Sequence, residues 1–184
     1  MLSIIPATVD LSSADIELIS NEKRSFLLHD ALRQPRMKSF GFDVILIDCP
    51  PSLSLLTVNA MVAAHSVLVP LQSEFYALEG LSQLMLTVRE VRQSGNMDLR
   101  IEGIVMTMYD SRNNLSQLVE QDARSTLGDL VFTTVIPRNV RLSEAPSYAL
   151  PIMAYDTHSK GAEAYRSLAQ EMMEKGQLGE RIAS

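Results

Sequence analysis

The sequence predicts an α/β fold, a mostly parallel sheet flanked by helices. Short runs that are apolar on successive residues alternate with segments whose apolar residues recur every three or four positions. A strand that is apolar on both of its faces must be covered on both, which is how parallel strands beneath helices read. Prolines stop several of these runs just where a strand should give way to a loop.

Taken in order, the first strand is expected at Leu2–Ile5, stopped by Pro6. The second is Asp43–Asp48, where Val44, Ile45, Leu46 and Ile47 run without a polar break. Ser66–Val69 is the third, closed by Pro70; Ile101–Met108 and Leu130–Ile136 follow, the latter ended by Pro137. Between them, Leu78, Leu81, Met85, Val88 and Arg92 keep helical spacing, with Leu84 and Val91 widening the apolar stripe. A polar turn at Ser111–Asn114 precedes a helix on which Leu115, Leu118, Val119 and Asp122 share a face. The last helix should start near Ser159 and bury Ala162, Tyr165, Leu168, Ala169 and Met172. Gly176 and Gly179 end it, so residues 1–175 are expected to form a single domain and 176–184 a frayed tail.

The 184 residues and 20.4 kDa suit one domain with a real core. At 46% hydrophobic and 21% charged, the composition is that of a globular protein and excludes a largely disordered one. No apolar run approaches the ~20 residues of a membrane span, and no signal segment opens the chain. The one cysteine, Cys49, can make neither an internal disulfide nor a zinc cage, which points to a reducing cytoplasm. A net charge of −6 confines any nucleic-acid binding to a local patch.

Ligands of open α/β sheets collect at the carboxyl ends of the strands. The sharpest feature sits at such an end: an apolar run closing on Asp48, then Cys49, Pro50, Pro51 and Ser52. A carboxylate there can hold a hydrated Mg²⁺, which keeps most of its waters and needs one or two carboxylates plus phosphate. The plainer alternative is an aspartate that caps the next helix.

Residues 43–62, DVILIDCPPSLSLLTVNAMV, resemble the magnesium-aspartate and switch segment of the ParA/Soj partitioning ATPases, relatives of MinD. The resemblance continues through PLQSEFYALEGLSQL at 70–84, IEGIVMTMYDSRNNLS at 101–116 and VIPRNVRLSEAPSYALPIMAYDTHSKGAEAY at 135–165. The opening IIPATVDLSSADIEL at 4–18 also matches, so the likeness covers nearly the whole chain in order. It implies a deviant phosphate-loop NTPase fold, ATP and Mg²⁺ as cofactors, and an ATP-dependent dimer that binds DNA without sequence preference. A centromere-binding partner, ParB, stimulates hydrolysis in that family, and the implied location is the cytoplasmic nucleoid.

The family's glycine-lysine loop, K-G-G-x-G-K-(S/T), whose amides cradle the phosphates, is not among these residues. None of Gly41, Gly80, Gly95, Gly103, Gly128, Gly161, Gly176 and Gly179 stands in such a setting. The expectation is therefore a chain like the carboxyl-terminal two-thirds of the family, inactive in hydrolysis by itself, binding no cofactor alone, and with no catalytic residue to name. The resemblance also implies that a strand is wanting beside the one ending at Asp48. The sheet should then shift, pair with another chain or be marginally stable.

By the same resemblance Thr107, Met108, Pro137 and Asn139 would flank an adenine, and Asp48 would serve the metal. Arg112 and Arg141 would face DNA phosphates, with Arg138 beside them, while Asp110, Glu144 and Asp156 stand ready to neutralise that face. Glu74, Tyr76 and Glu79 imply packing or a dimer face. A homodimer or a ParA heterodimer is expected, with no membrane partner. His29, His65 and His158 show no metal-ligand spacing, and Lys23–Lys38 reads as a solvated basic helix face. Two other readings stand beside this one. One is a non-catalytic regulator that binds ParA or ParB; the other is an unrelated α/β enzyme using Asp48 as acid or base.

Overall fold

The computed structural model describes residues 2–175, and the expected tail at 176–184 lies outside them. The helices are α1 (Ala14–Glu17), α2 (Leu27–Leu32), α3 (Pro35–Lys38), α4 (Leu55–Ala63), α5 (Ala77–Ser94), α6 (Asn114–Leu127), α7 (Val140–Glu144), α8 (Ile152–Tyr155) and α9 (Lys160–Glu174). The strands are β1 (Ser66–Gln72), β2 (Arg100–Tyr109) and β3 (Val131–Pro137), ordered β1-β2-β3 in one sheet, with β2 and β3 parallel. This is the α/β class read from the sequence. Among the described residues no helix is long and apolar enough to cross a membrane.

Two expected strands are not strands. Leu2–Ile5 and Asp43–Asp48 carry no ladder pairing, and Leu46 is 85% exposed. Apolar side chains do not make a strand unless a neighbour takes up its N–H and C=O groups, and no such neighbour stands among the described residues. The third strand runs on through Pro70 to Gln72, because β1 is an edge where a missing N–H costs no ladder bond.

The chain divides into two compact units, one formed by Met1–Ser66 with Leu84–Arg100, the other by Val67–Gln83 with Ile101–Ser184. In the first, α4 buries Ala60, Met61, Val62 and Ala63. Its C-terminus is closed by Asn96, whose amide donates to the carbonyls of Met61 at 3.0 Å and Ala64 at 2.7 Å. Basic residues of 23–38 lie on the exposed segments around α2 and α3, as a solvated face should.

In the second unit β2 is the central strand and is buried continuously from Glu102 to Met106. Val105, Phe132, Ile136 and Leu168 form its core, with Leu142, Ala164 and Met172 packed against it. Ser159 caps α9, accepting from the amide of Ala162 at 3.2 Å, as its place before the helix predicts. Gly161 and Ala162 are buried, whereas Tyr165 and Ala169 point outward. The inward ridge is 161, 164, 168 and 172, and those two residues stand one position, about 100°, beyond it. On α6 the buried face is likewise Ser116, Val119 and Ala123, leaving Leu115 and Leu118 exposed.

Candidate functional site

The carboxyl ends of β2 and β3 bring six of the expected site residues onto neighbouring segments of one unit. The β2–β3 register breaks twice, between the rungs Ile104↔Val131 and Met106↔Val135, and again before Tyr109↔Pro137. At the first break two β3 amides lose ladder partners. Glu171 of α9 supplies them: its carboxylate accepts from the amides of Thr133 at 2.6 Å and Thr134 at 2.8 Å. Burial works to raise that carboxyl's pKa, but the Thr134 and Thr133 hydrogen bonds and Lys175 outweigh it and hold it low.

The second break is a bulge at Met108, whose φ of 52° is left-handed. A bulky residue rarely adopts that conformation, and strain of this kind re-aims a side chain at a strand end. Met108 is accordingly half-exposed between the rungs at Met106 and Tyr109. Thr107, just before it, has its carbonyl occupied by the amide of Ser73 at 3.2 Å and the Ser73 hydroxyl at 3.1 Å. That ties the loop after β1 to the bulge. On β3, Pro137 ends the strand, and the Arg138 amide donates to the Tyr109 carbonyl at 2.9 Å. Asn139 caps α7, its Oδ1 accepting from the Arg141 amide at 2.9 Å. Its Nδ2 makes no hydrogen bond to the described residues, so a donor is left at the mouth of the turn.

The arginines do not stand free. Arg112 folds back on Asp110 with Nε to one carboxylate oxygen and Nη2 to the other, each at 3.0 Å, and its own amide also donates to that carboxylate. Arg141 meets Glu144 at 3.0 Å and Asp156 at 3.4 Å. The three acids expected to offset this face are thus in contact with its cations. Arg138 is exposed and makes no ion pair among the described residues.

Hydrogen bonds from the Arg112 side chain and amide, with the Arg112 and Arg138 charges, hold the Asp110 carboxyl at about 2. An unpaired aspartate in an unfolded chain titrates near ~3.9. A depressed carboxyl contributes its share above the unfolded value and loses it as pH falls through the folded one. We therefore expect the Asp110 carboxyl carbon to titrate by NMR with a midpoint about 2. A midpoint close to ~4 would mean the two-pronged clamp is not formed in solution.

Asp48 lies in the other unit, exposed, and its carboxylate accepts no hydrogen bond from the described residues. The capping alternative fails, because the N-cap of α4 is Ser54. Among the described residues no three His, Cys, Asp or Glu groups gather to hold a metal ion. One carboxylate is enough for Mg²⁺ only where phosphate oxygens and water complete the shell. The Cys49 thiol is pushed up by desolvation and by the adjacent Asp48 charge, the opposite of an activated nucleophile.

The sequence reading missed Glu171 and Tyr155. The Tyr155 hydroxyl donates to Glu144 at 3.1 Å, and its ring stacks on Tyr148 at 5.0 Å. Neither pairing has a local spacing signal. Tyr109, which hydrogen-bonds Glu120, anchors the end of β2 to α6 in the same way.

A family model described as an AAA domain matches residues 1–101. The chain is 51% identical over 174 residues to the chromosome partitioning protein ParA of Myxococcus xanthus, covering 95% of this chain and 60% of that protein. Identity to the ParA of Caulobacter vibrioides is 53%, covering 95% and 65%. For the sporulation initiation inhibitor protein Soj of Bacillus subtilis it is 51%, covering 95% and 68%. The chain thus spans 60% and 65% of the first two relatives' lengths. Among solved structures, cobyrinic acid a,c-diamide synthase from Mycobacterium smegmatis, with bound ATP analogue and magnesium, is 36% identical. It superposes with a TM-score of 0.76, covering 94% of this chain and 62% of that one. A plasmid partition protein from Borrelia burgdorferi gives a TM-score of 0.69 at 21% identity, covering 93% and 61%, a likeness of fold alone.

Proposed function

Because the chain belongs to the ParA/Soj family of partitioning ATPases, we propose that it serves chromosome or plasmid partitioning. Its part is a nucleotide- and DNA-facing surface at the ends of β2 and β3. In that reading ATP-dependent dimerisation, non-specific DNA binding on the nucleoid and ParB-stimulated hydrolysis belong to the parent activity. The strained bulge at Met108, beside the Asn139-capped turn, is the observation that carries it. Thr107, Met108, Pro137 and Asn139 would flank the base, with the Asn139 amide nitrogen as donor. Asp48 would serve the magnesium of a nucleotide complex whose phosphates complete the shell, and the metal would there offset phosphate charge. Arg112 and Arg141 would meet DNA phosphate.

As these 184 residues stand, no G-x-x-x-x-G-K-(S/T) loop is available to grip the phosphates. Phosphoryl transfer depends chiefly on positioning and charge stabilisation, so we expect no hydrolysis and no cofactor retained by this chain alone. The second reading is a non-catalytic regulator that pairs with a full-length ParA or with ParB. Calorimetry with magnesium and ATP should show no binding heat, while co-purification with a full-length ParA should show association. Tight binding of MgATP would discard the inactive reading, and indifference to both ParA and ParB would discard the regulator.

A further inference from the structure

We propose that Asp110, Glu144 and Asp156 act as latches on Arg112 and Arg141, holding DNA affinity down until their carboxylates are displaced. The inference rests on the DNA-facing reading above and concerns how that surface is held in check. A guanidinium grips phosphate best through paired N–H donors on one edge. On Arg112 the Nε/Nη2 edge is already spent on both oxygens of Asp110. On Arg141, Nη1 is on Glu144 and Nε on Asp156. Arg112 and Arg141 thus meet three carboxylates, and even with Arg138 beside them the patch as built carries no net positive charge.

Glu144 is the latch with support of its own. The Tyr155 hydroxyl donates to the same oxygen that Arg141 uses, and Tyr155 is stacked on Tyr148. An incidental surface pair has no such brace. Because Glu144 follows Arg141 by one helical turn of α7, the pair is closed by local geometry. Approaching phosphate must therefore compete with a carboxylate already in place, and the competition sets the threshold for binding.

The test measures binding of a random-sequence DNA duplex at low salt by fluorescence anisotropy, using the full chain. Glu144→Gln keeps the shape and the Tyr155 bond but removes the charge. It should tighten binding about two- to fivefold, the range exposed ion pairs reach. Adding Asp110→Asn should raise the gain to about tenfold and steepen the salt dependence by about one phosphate equivalent per released arginine. Glu163→Gln, on an exposed site of α9, controls for net charge and should do less. In an Arg141→Ala background the Glu144→Gln gain should vanish, which a purely structural role for Glu144 would not produce. Equal gains from Glu144→Gln and Glu163→Gln, or weaker binding by the former, overturn the latch alone. No binding at low salt by the unsubstituted chain or any carboxamide variant overturns the DNA reading and the latch with it.

Discussion

Gly103→Ala should destabilise the chain by about 2–3 kcal/mol, the upper part of the usual overpacking range. A Cβ built at Gly103 would lie 2.3 Å from Cε2 of Phe132 and 2.9 Å from its Cδ2 and Cζ. Phe132 is completely buried and packs in the core with Val105, Ile136 and Leu168. Its ring also carries the Lys175 ammonium 4.5 Å from the centroid. The ring cannot yield without opening that core or pushing β3 from β2, and a shift of β3 would carry Pro137 and Asn139 with it. Urea unfolding followed by circular dichroism should show the loss as a lower midpoint with an unchanged slope. Phe132→Leu alone should also destabilise, by leaving space where the ring was. Combined with Gly103→Ala it should cost less than the two added together, because the leucine vacates the position that the new methyl needs. Strict additivity would mean that the contact between 103 and 132 is not the cause.

The elements that the sequence disclosed are those whose burial is set within the segment. β2, β3, α5 and α9 were legible because a continuous apolar run or a three-and-four spacing states directly which faces are covered. The runs at Leu2–Ile5 and Asp43–Asp48 have the same side-chain signature but no ladder, since hydrogen-bond partners are supplied by other segments and leave no mark on the run itself. Tyr165 and Leu118 misled because a wide apolar stripe does not say which of its two margins meets the sheet. At the strand ends the arginines and their neutralising acids were visible as nearby charges. The strain at Met108 was not, because methionine carries no preference for left-handed backbone. Glu171 was invisible too, since it reaches β3 amides 37 and 38 positions away.

Asn59→Leu should remove about 3 kcal/mol from the first unit, since each buried backbone group left unpaired costs about 1–3 kcal/mol. The Asn59 side chain is nearly buried, and its Oδ1 accepts from the Leu28 amide at 3.2 Å. Its Nδ2 donates to the Arg24 carbonyl at 2.7 Å and to the Leu55 carbonyl at 3.0 Å. One amide therefore joins α4 to the start of α2 and to the turn before it, where no sheet ladder ties the chain together. Leucine fits the volume and restores none of these bonds. It strands the Leu28 N–H, an orphan of the first turn of α2 with no intrahelical acceptor. Asn59→Asp would separate the two halves of the interaction, keeping an acceptor for Leu28 while losing both donors and burying a charge. It should be at least as damaging as leucine at neutral pH and should recover partly as the carboxyl is protonated. Hydrogen exchange at the Leu28 amide gives a local readout: protection in the parent chain, its loss in Asn59→Leu, and its partial retention in Asn59→Asp, which keeps the acceptor. An Asn59→Leu chain within about 0.5 kcal/mol of the parent, the scatter of ordinary surface changes, would show that α2 is held to α4 by apolar packing alone.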